Sequence, residues 1–96
     1  MITNNISILK NITILYAEDE KDLREVTHQI LKGFTKKQYV AKDGAEGLEL
    51  FKEHENEIDL IITDVNMPIL NGLEMVKEIK KININIPIIV ATAFSN

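Results

Sequence analysis

Four short apolar runs, separated by polar segments, constrain the fold of this chain more than any other feature. They occupy residues 12–17, 37–41, 58–65 and 86–93. Each run is shorter than an ordinary helix and is apolar with little alternation, which is typical of strands that a parallel sheet buries on both faces. Pro87 lies near the start of the fourth run, where a missing N–H group is tolerated in a strand.

The segments between these runs have the periodicity of amphipathic helices. The predicted buried stripes are Leu23, Val26, Ile30, Leu31 and Phe34 in the first helix, Leu48 and Phe51 in the second, and Leu73, Val76 and Ile79, with Met75 beside them, in the third. Gly33 is suited to ending the first helix. Asp43 precedes Glu46 by three residues, and Asn71 precedes Glu74 by three, which is the spacing of a helix-capping pair.

Strands that alternate with amphipathic helices predict an α/β fold with a parallel sheet covered on both faces. Right-handed crossovers between parallel strands then leave chiefly the doubly wound topologies. A chain of 96 residues, with no internal repeat and no linker, is expected to form one domain.

Composition excludes several classes of function. The chain has no cysteine, so disulfides, thiolate catalysis and thiolate zinc sites are excluded. A net charge of −4 is not the electrostatic footprint of a nucleic-acid binder, and no nucleic-acid partner is expected. The apolar runs are too short to span a membrane, and the N-terminus lacks the features of a signal peptide. We therefore expect a cytoplasmic protein without a membrane partner.

Polar groups follow the predicted strands at the edge where a parallel sheet forms its sites. Glu18 and Asp19 follow the first strand, Asp64 and Asn66 the third, and Thr92 lies in the fourth. If these three strands are neighbours, three carboxylates and a hydroxyl converge. Like charges 4 Å apart repel by about 4 kcal/mol at an effective dielectric near 20, so such a cluster is protonated or binds a cation. Oxygen ligands favour Mg²⁺, and a carboxylate beside Mg²⁺ can act as a nucleophile toward a phosphoryl group.

Each of these residues also has a purely structural interpretation. Asp19 and Asp22 are suited to capping the first helix, and Asp64 is suited to a turn ahead of Pro68. Thr92 is an ordinary β-branched strand residue. Taken singly, these interpretations are favoured. Taken together, four oxygen-bearing groups at the same end of three strands favour a site.

Three motifs at these separations carry a resemblance to a known family. They are the acidic pair Glu18–Asp19, the stretch "DVNMPILNG" that begins at Asp64, and "ATA" at the end of the fourth run. With them, residues 12–95 resemble the receiver domain of bacterial two-component response regulators. The resemblance implies a flavodoxin-like strand order, with an N-terminal tail at 1–11 and the receiver domain at 12–96.

The family's functional roles can be carried over residue by residue. The resemblance implies that Asp64 accepts a phosphoryl group from a phosphohistidine of a sensor histidine kinase, and that a downstream effector domain or protein reads the result. Glu18 and Asp19 correspond to the acidic pair that holds Mg²⁺, with the backbone carbonyl of Asn66 completing the coordination. Thr92 corresponds to the hydroxyl that contacts the phosphoryl group. Glu at position 18 is one methylene longer than the usual Asp, and an outer-sphere or water-mediated role is expected for it.

The more serious departure from the family pattern is at the end of the chain. Similar domains continue with a helix, a fifth strand that starts near a lysine, and a final helix, whereas the 96 residues stop shortly after Thr92. We therefore expect an incomplete receiver domain, with an open apolar edge at the fourth strand and a first helix that lacks a neighbour. Either the chain is a piece of a longer protein or it is a short protein completed by oligomerisation; in both cases self-association is expected.

Three functions remain in competition at this point. The first is a signalling switch phosphorylated at Asp64, which is not a turnover enzyme. The second is a pseudo-receiver that keeps the fold as an interaction module without phosphoryl chemistry. The third is a Mg²⁺-dependent phosphohydrolase, which is disfavoured because position 66 is Asn and not a second catalytic acid.

Overall fold

Seven elements alternate along the chain as the sequence predicts. The computed structural model describes residues 9–91, so most of the predicted tail at 1–11 lies outside the described part. The elements are β1 (Thr13–Ala17), α1 (Lys21–Lys32), β2 (Lys37–Ala41), α2 (Gly44–His54), β3 (Leu60–Thr63), α3 (Gly72–Ile82) and β4 (Ile88–Val90). Within residues 9–91, no helix is long and apolar enough to cross a membrane.

The four strands form one parallel sheet in the order β2-β1-β3-β4. This order confirms the predicted doubly wound, flavodoxin-like arrangement. It makes β1 and β3 neighbours, with Ala17 paired to Thr63 at their carboxyl ends. The residues that follow these two strands, Glu18 and Asp64, therefore leave the sheet side by side.

The third and fourth strands are shorter than predicted. The third strand was predicted at 58–65 but spans only Leu60–Thr63. Ile58 N–H bonds back to the carbonyl of His54, and Asp64 lies beyond the end of the strand. The fourth strand begins at Ile88 rather than at 86, because Ile86 N–H bonds Asn83 in the turn after α3. Backbone groups satisfied within turns are not available to the sheet.

The hydrophobic core lies on the face of the sheet that α2 and α3 cover. α2 packs against α3, β1 and β2. The fully buried core side chains on this face are Leu15, Ala17, Ala41 and Ile61 from the strands and Phe51, Met75 and Ile79 from the helices. The predicted burial of Phe51 is confirmed, with Leu48 packed at the margin of the core.

The prediction that α1 buries its apolar stripe is wrong. No residue of α1 is fully buried, and Leu23, Val26 and Ile30 are 42%, 57% and 58% exposed. α1 lies against β2, on the face opposite the core. On that face Tyr16 pairs in register with Ile62, which pairs with Ile89.

Burial decreases along this row of three side chains. Tyr16 is buried, Ile62 is half-buried and Ile89 is 51% exposed. Among residues 9–91, therefore, α1 is the only helix on this face, and the side of the sheet formed by β3 and β4 has no helix over it.

The buried face of α3 also differs from the predicted stripe. Met75 and Ile79 are fully buried, whereas Leu73, which the periodicity placed inside, is exposed. Gly72 is buried with Met75 and Ile79, and a Cβ at this position would overlap the carbonyl oxygen of Asp64. The start of α3 therefore lies directly against the backbone after β3.

Candidate functional site

The fold places the acidic residues at one edge of the sheet through its backbone hydrogen bonds. Glu18 N–H donates to the carbonyl of Ala41 on β2, and Asp64 N–H donates to the carbonyl of Ala17 on β1, each at 3.0 Å. Both residues thus continue the sheet ladder one step past its strands. Their side chains start from fixed, neighbouring points.

The structure brings three of the predicted site residues together. Carboxylate oxygens of Glu18, Asp19 and Asp64 all lie within 4.8 Å of one another. Glu18 is buried, Asp64 half-buried and Asp19 exposed. Asn66 lies two residues farther along the loop with an exposed side chain. The predicted Thr92 lies outside the described residues.

The cluster perturbs its own protonation. Burial is the main cause that raises the pKa of Glu18 above its ordinary value, and the charges of Asp64, Asp19 and Glu20 raise it further. The backbone N–H of Glu20, which donates to Glu18 Oε2 at 3.0 Å, opposes this shift. A raised pKa in the folded state means that ionisation of Glu18 destabilises the fold. This destabilisation is fully present at pH values above the raised pKa and is absent at pH values below the ordinary carboxyl pKa.

Tyr16, beneath the cluster on β1, responds in the same direction. Its pKa is raised chiefly by burial, with smaller contributions from the charges of Glu18 and Asp64. The negative field of the cluster therefore reaches into the sheet.

Asp64 is oriented by its own backbone environment. Its Oδ1 atom accepts a hydrogen bond from Val65 N–H at 2.8 Å, and its carbonyl accepts one from the Thr63 hydroxyl at 2.8 Å. The first bond is of the local kind that the turn interpretation predicted. It also holds the carboxylate in the cluster with Glu18 and Asp19.

Capping does not explain Asp19. The N-cap of α1 is Glu20, whose Oε1 atom accepts from Leu23 N–H at 2.7 Å. Asp19 is one residue too early and Asp22 lies within the first turn. The structural interpretation of Asp19 as a helix cap is therefore wrong.

Arg24 is a part of the site that the sequence interpretation missed. Its Nη1 atom donates to the carbonyls of Glu18 at 2.9 Å and Asp19 at 3.2 Å. The guanidinium thus binds the backbone of the acidic pair and fixes its approach to α1. A basic residue one turn after the start of α1 was the available signal.

The donor set fits a hard divalent cation. All three side chains offer carboxylate oxygens, which Mg²⁺ prefers in proteins. The three carboxylates lie within 4.8 Å of one another, and the charges of Asp64 and Asp19 add to the larger effect of burial in raising the pKa of Glu18, so a cation bound between them would relieve their mutual repulsion. Glu18, Asp19 and Asp64 are the residues whose carboxylates could hold such a cation.

Comparison with known proteins agrees with this architecture. The sequence profile of a family described as "Response regulator receiver domain" matches residues 14–96. The transcriptional regulatory protein ZraR of Klebsiella oxytoca is 31% identical over 87 residues, which cover 91% of this chain and 19% of ZraR. A response regulatory protein of Staphylococcus epidermidis is 36% identical over 80 residues, covering 79% of this chain and 31% of that protein. The chain thus spans less than a third of the length of these curated relatives.

Solved structures resemble the fold closely. The N-terminal domain of a protein (WS1339) from Wolinella succinogenes is 41% identical with a TM-score of 0.81, over 90% of this chain and 68% of that one. The response regulator TrrA from Thermotoga maritima, determined in complex with Mg(2+)-BeF, is 34% identical with a TM-score of 0.77, over 88% and 72% of the two chains. From its sequence and its fold, the chain belongs to the response regulator receiver domain family.

Proposed function

We propose that this chain is the phosphoacceptor domain of a two-component response regulator. Asp64 accepts a phosphoryl group from a phosphohistidine of a sensor histidine kinase, and the change is read by a downstream effector domain or protein. The observation that carries the proposal is the convergence of the Glu18, Asp19 and Asp64 carboxylates at the carboxyl edge of the sheet. The domain works in the cytoplasm, modifies only itself and turns over no external substrate.

The proposed transfer uses Asp64 as the nucleophile. A carboxylate oxygen of Asp64 forms a bond to phosphorus while the bond from phosphorus to the histidine nitrogen breaks, which leaves an acyl phosphate and a free imidazole. Val65 N–H, bonded to Oδ1, orients the carboxylate for this attack. Glu18, Asp19 and Asp64, together with the carbonyl of Asn66, would hold Mg²⁺ beside the acceptor.

Charge neutralisation is the main requirement of such a transfer. Bound Mg²⁺ supplies positive charge that offsets the negative charge of the phosphoryl oxygens. Thr92 is proposed, by the resemblance, to donate its hydroxyl to the transferred group. The neighbour TrrA was determined with Mg(2+)-BeF, which supports a magnesium-dependent site in this family.

Mass spectrometry of the intact chain tests the proposal. Incubation with acetyl phosphate and Mg²⁺ is expected to add the mass of one phosphoryl group, and chelation of Mg²⁺ is expected to prevent the addition. Weak Mg²⁺ binding without any uptake would instead favour a pseudo-receiver, which keeps the fold without the chemistry.

Asp19→Asn is expected to stabilise the metal-free domain and to remove its response to Mg²⁺. Loss of one charge relieves the repulsion on Glu18, and because Asp19 is exposed the gain is about 0.5–1 kcal/mol. Wild-type protein at a free Mg²⁺ concentration about 100 times its Kd gains about 2.7 kcal/mol, whereas the variant gains far less. Urea denaturation with EDTA and with Mg²⁺ measures both effects.

Asp22→Asn is the matched control, since it makes the same change of charge in the first turn of α1 outside the cluster. It removes a favourable charge near the helix N-terminus, so a slight loss of stability is expected. Its Mg²⁺ response remains that of the wild type. Equal responses of the Asp19 and Asp22 variants to Mg²⁺ would contradict the proposed metal site.

We further propose that the isolated 96-residue chain self-associates with a second copy through the face that carries α1. Leu23, Val26, Ile30 and Ile89 are exposed there, and exposed apolar patches of this kind mark association surfaces. Analytical ultracentrifugation is expected to show a mass that rises with concentration, and Ile30→Glu is expected to shift it toward the monomer. A wild-type mass that stays monomeric at high concentration would contradict this.

A further inference from the structure

The segment that follows β3, residues 64–72, is a closed loop that runs from Asp64 to the first residue of α3. We call it the acceptor loop. Gly72 N–H donates to the carbonyl of Val65 at 2.8 Å, which closes the loop on itself. Because Val65 N–H also orients the Asp64 carboxylate, any shift of this closure is transmitted to the acceptor side chain.

The acceptor loop contains a strained turn. Leu70 N–H donates to the carbonyl of Pro68 at 2.7 Å, which is the bond of a three-residue γ-turn. The central residue, Ile69, has φ 70, a conformation that is a genuine outlier for a β-branched side chain. Its side chain is 80% exposed, so its own packing does not hold the turn in place. Contacts elsewhere must maintain this conformation.

Gly44 supplies such a contact from outside the loop. A Cβ atom at Gly44 would overlap the carbonyl oxygen of Leu70 and crowd its carbonyl carbon, so the backbone of Leu70 lies directly against the Gly44 backbone. Gly44 is the first residue of α2 and is buried. The buried Asp43 caps the helix there by accepting from Glu46 N–H at 2.7 Å, which fixes the position of Gly44.

We propose that Gly44 is a positioning residue for phosphoryl transfer. Its contact with Leu70 holds the strained turn, and the turn fixes the acceptor loop and the direction of the Asp64 carboxylate toward Glu18 and Asp19. The inference rests on the proposed function only for its kinetic readout, since the geometry of the loop can be measured without a phosphodonor.

The contact between Leu70 and Gly44 also anchors the loop to α2. The helix packs on α3 and on two strands of the core, so the loop is held by an element that is itself rigid. A side chain at position 44 would displace the loop while leaving the core intact, and displacements of about 1 Å at a reacting group can slow a reaction about 100-fold.

Gly44→Ala tests the proposal directly. At saturating acetyl phosphate and Mg²⁺, its rate of phosphoryl uptake is expected to fall about 10-fold. Faster amide hydrogen exchange at Val65 and weaker Mg²⁺ binding are expected as readouts that need no phosphodonor. Gly33→Ala is the matched control, because the nearest atom to an added Cβ there is 3.8 Å away and the backbone is ordinary αR.

Ile79→Val controls for simple loss of stability. It removes one methylene from the buried side of α3, outside the loop itself. A purely structural role of Gly44 predicts that Gly44→Ala and Ile79→Val, both kept fully folded, retain wild-type uptake and wild-type Val65 exchange. That result would overturn the proposal. The proposed function fails separately, if the wild-type chain takes up no phosphoryl group; the Val65 exchange and Mg²⁺ affinity then still decide the role of Gly44.

Ile69→Gly is the second variant, in case Gly44→Ala does not fold. Glycine relieves the strain at φ 70 and so preserves the fold, but it also frees the turn. Slower uptake and faster Val65 exchange, each by about threefold, are expected in a protein at least as stable as wild type. Unchanged values of both would overturn the proposal.

Discussion

Asp64→Asn is expected to abolish phosphoryl uptake from acetyl phosphate. The amide oxygen can still accept the hydrogen bond from Val65 N–H, so the loop geometry is preserved, but the side chain loses the negative charge of the nucleophile. The expected fall in the rate is at least about 100-fold, to the background of the assay. Intact-mass spectrometry over time measures this rate.

Asp43→Asn is the matched control for this loss. Asp43 lies at the same edge of the sheet, after β2, and caps α2 through its side chain. Asparagine caps helices about as well as aspartate, so this variant is expected to keep both stability and uptake. Uptake that persisted in Asp64→Asn would assign the acceptor to another residue and overturn the proposed function.

The loss of charge at position 64 has a second consequence. Because Asp64 contributes to the raised pKa of Glu18, its neutralisation is expected to bring that pKa back toward the ordinary value. The metal-free variant is therefore expected to be at least as stable as wild type. An inactive but stable variant separates loss of chemistry from loss of fold.

Phe51→Ala is expected to have the largest effect on stability, a loss of about 3–5 kcal/mol. Phe51 is completely buried in α2 within the core cluster formed by both helices and the sheet. Its truncation removes apolar contacts and leaves a cavity that the strands cannot close. Since small domains are stable by only about 5–15 kcal/mol, the variant approaches the limit of folding.

Phe34→Ala makes the same chemical change at an exposed position. Phe34 follows α1 and is 36% exposed, so its truncation is expected to cost about 1 kcal/mol or less. Urea denaturation of both variants measures the difference. Equal losses would contradict the assignment of the core to the α2–α3 face.

The architecture could be predicted from the sequence because its signals are local. The apolar runs and helical stripes define the order of elements, and the handedness of crossovers restricts how parallel strands can be arranged. Once β1 and β3 are neighbours, Glu18 and Asp64 must meet, since both directly follow their strands. The location of the acidic cluster could therefore be predicted from the sequence. The roles of its members, and of Thr92, remain predictions.

The apolar stripe of a helix identifies which face is able to be buried, but burial depends on what lies against it. The stripe of α1 is regular, yet Val26 and Ile30 are exposed, since no other described helix shares that face of the sheet. At the start of α3, Leu73 is exposed, whereas Gly72 lies against the backbone of Asp64. Neither outcome is encoded in the periodicity of the segment concerned.

Contacts to backbone atoms were likewise decided by the tertiary structure alone. Arg24 binds two carbonyls of the acidic pair, and Gly44 lies against the carbonyl of Leu70. Carbonyl groups are the same at every residue, so side-chain patterns do not identify which carbonyls will be contacted; for Arg24 the sequence signal was limited to a basic residue one turn into α1. The order of strands and the place of the carboxylates follow from local sequence patterns. The direction of the Asp64 carboxylate depends instead on the hydrogen bond from Val65 N–H, within a loop whose backbone contacts the start of α2.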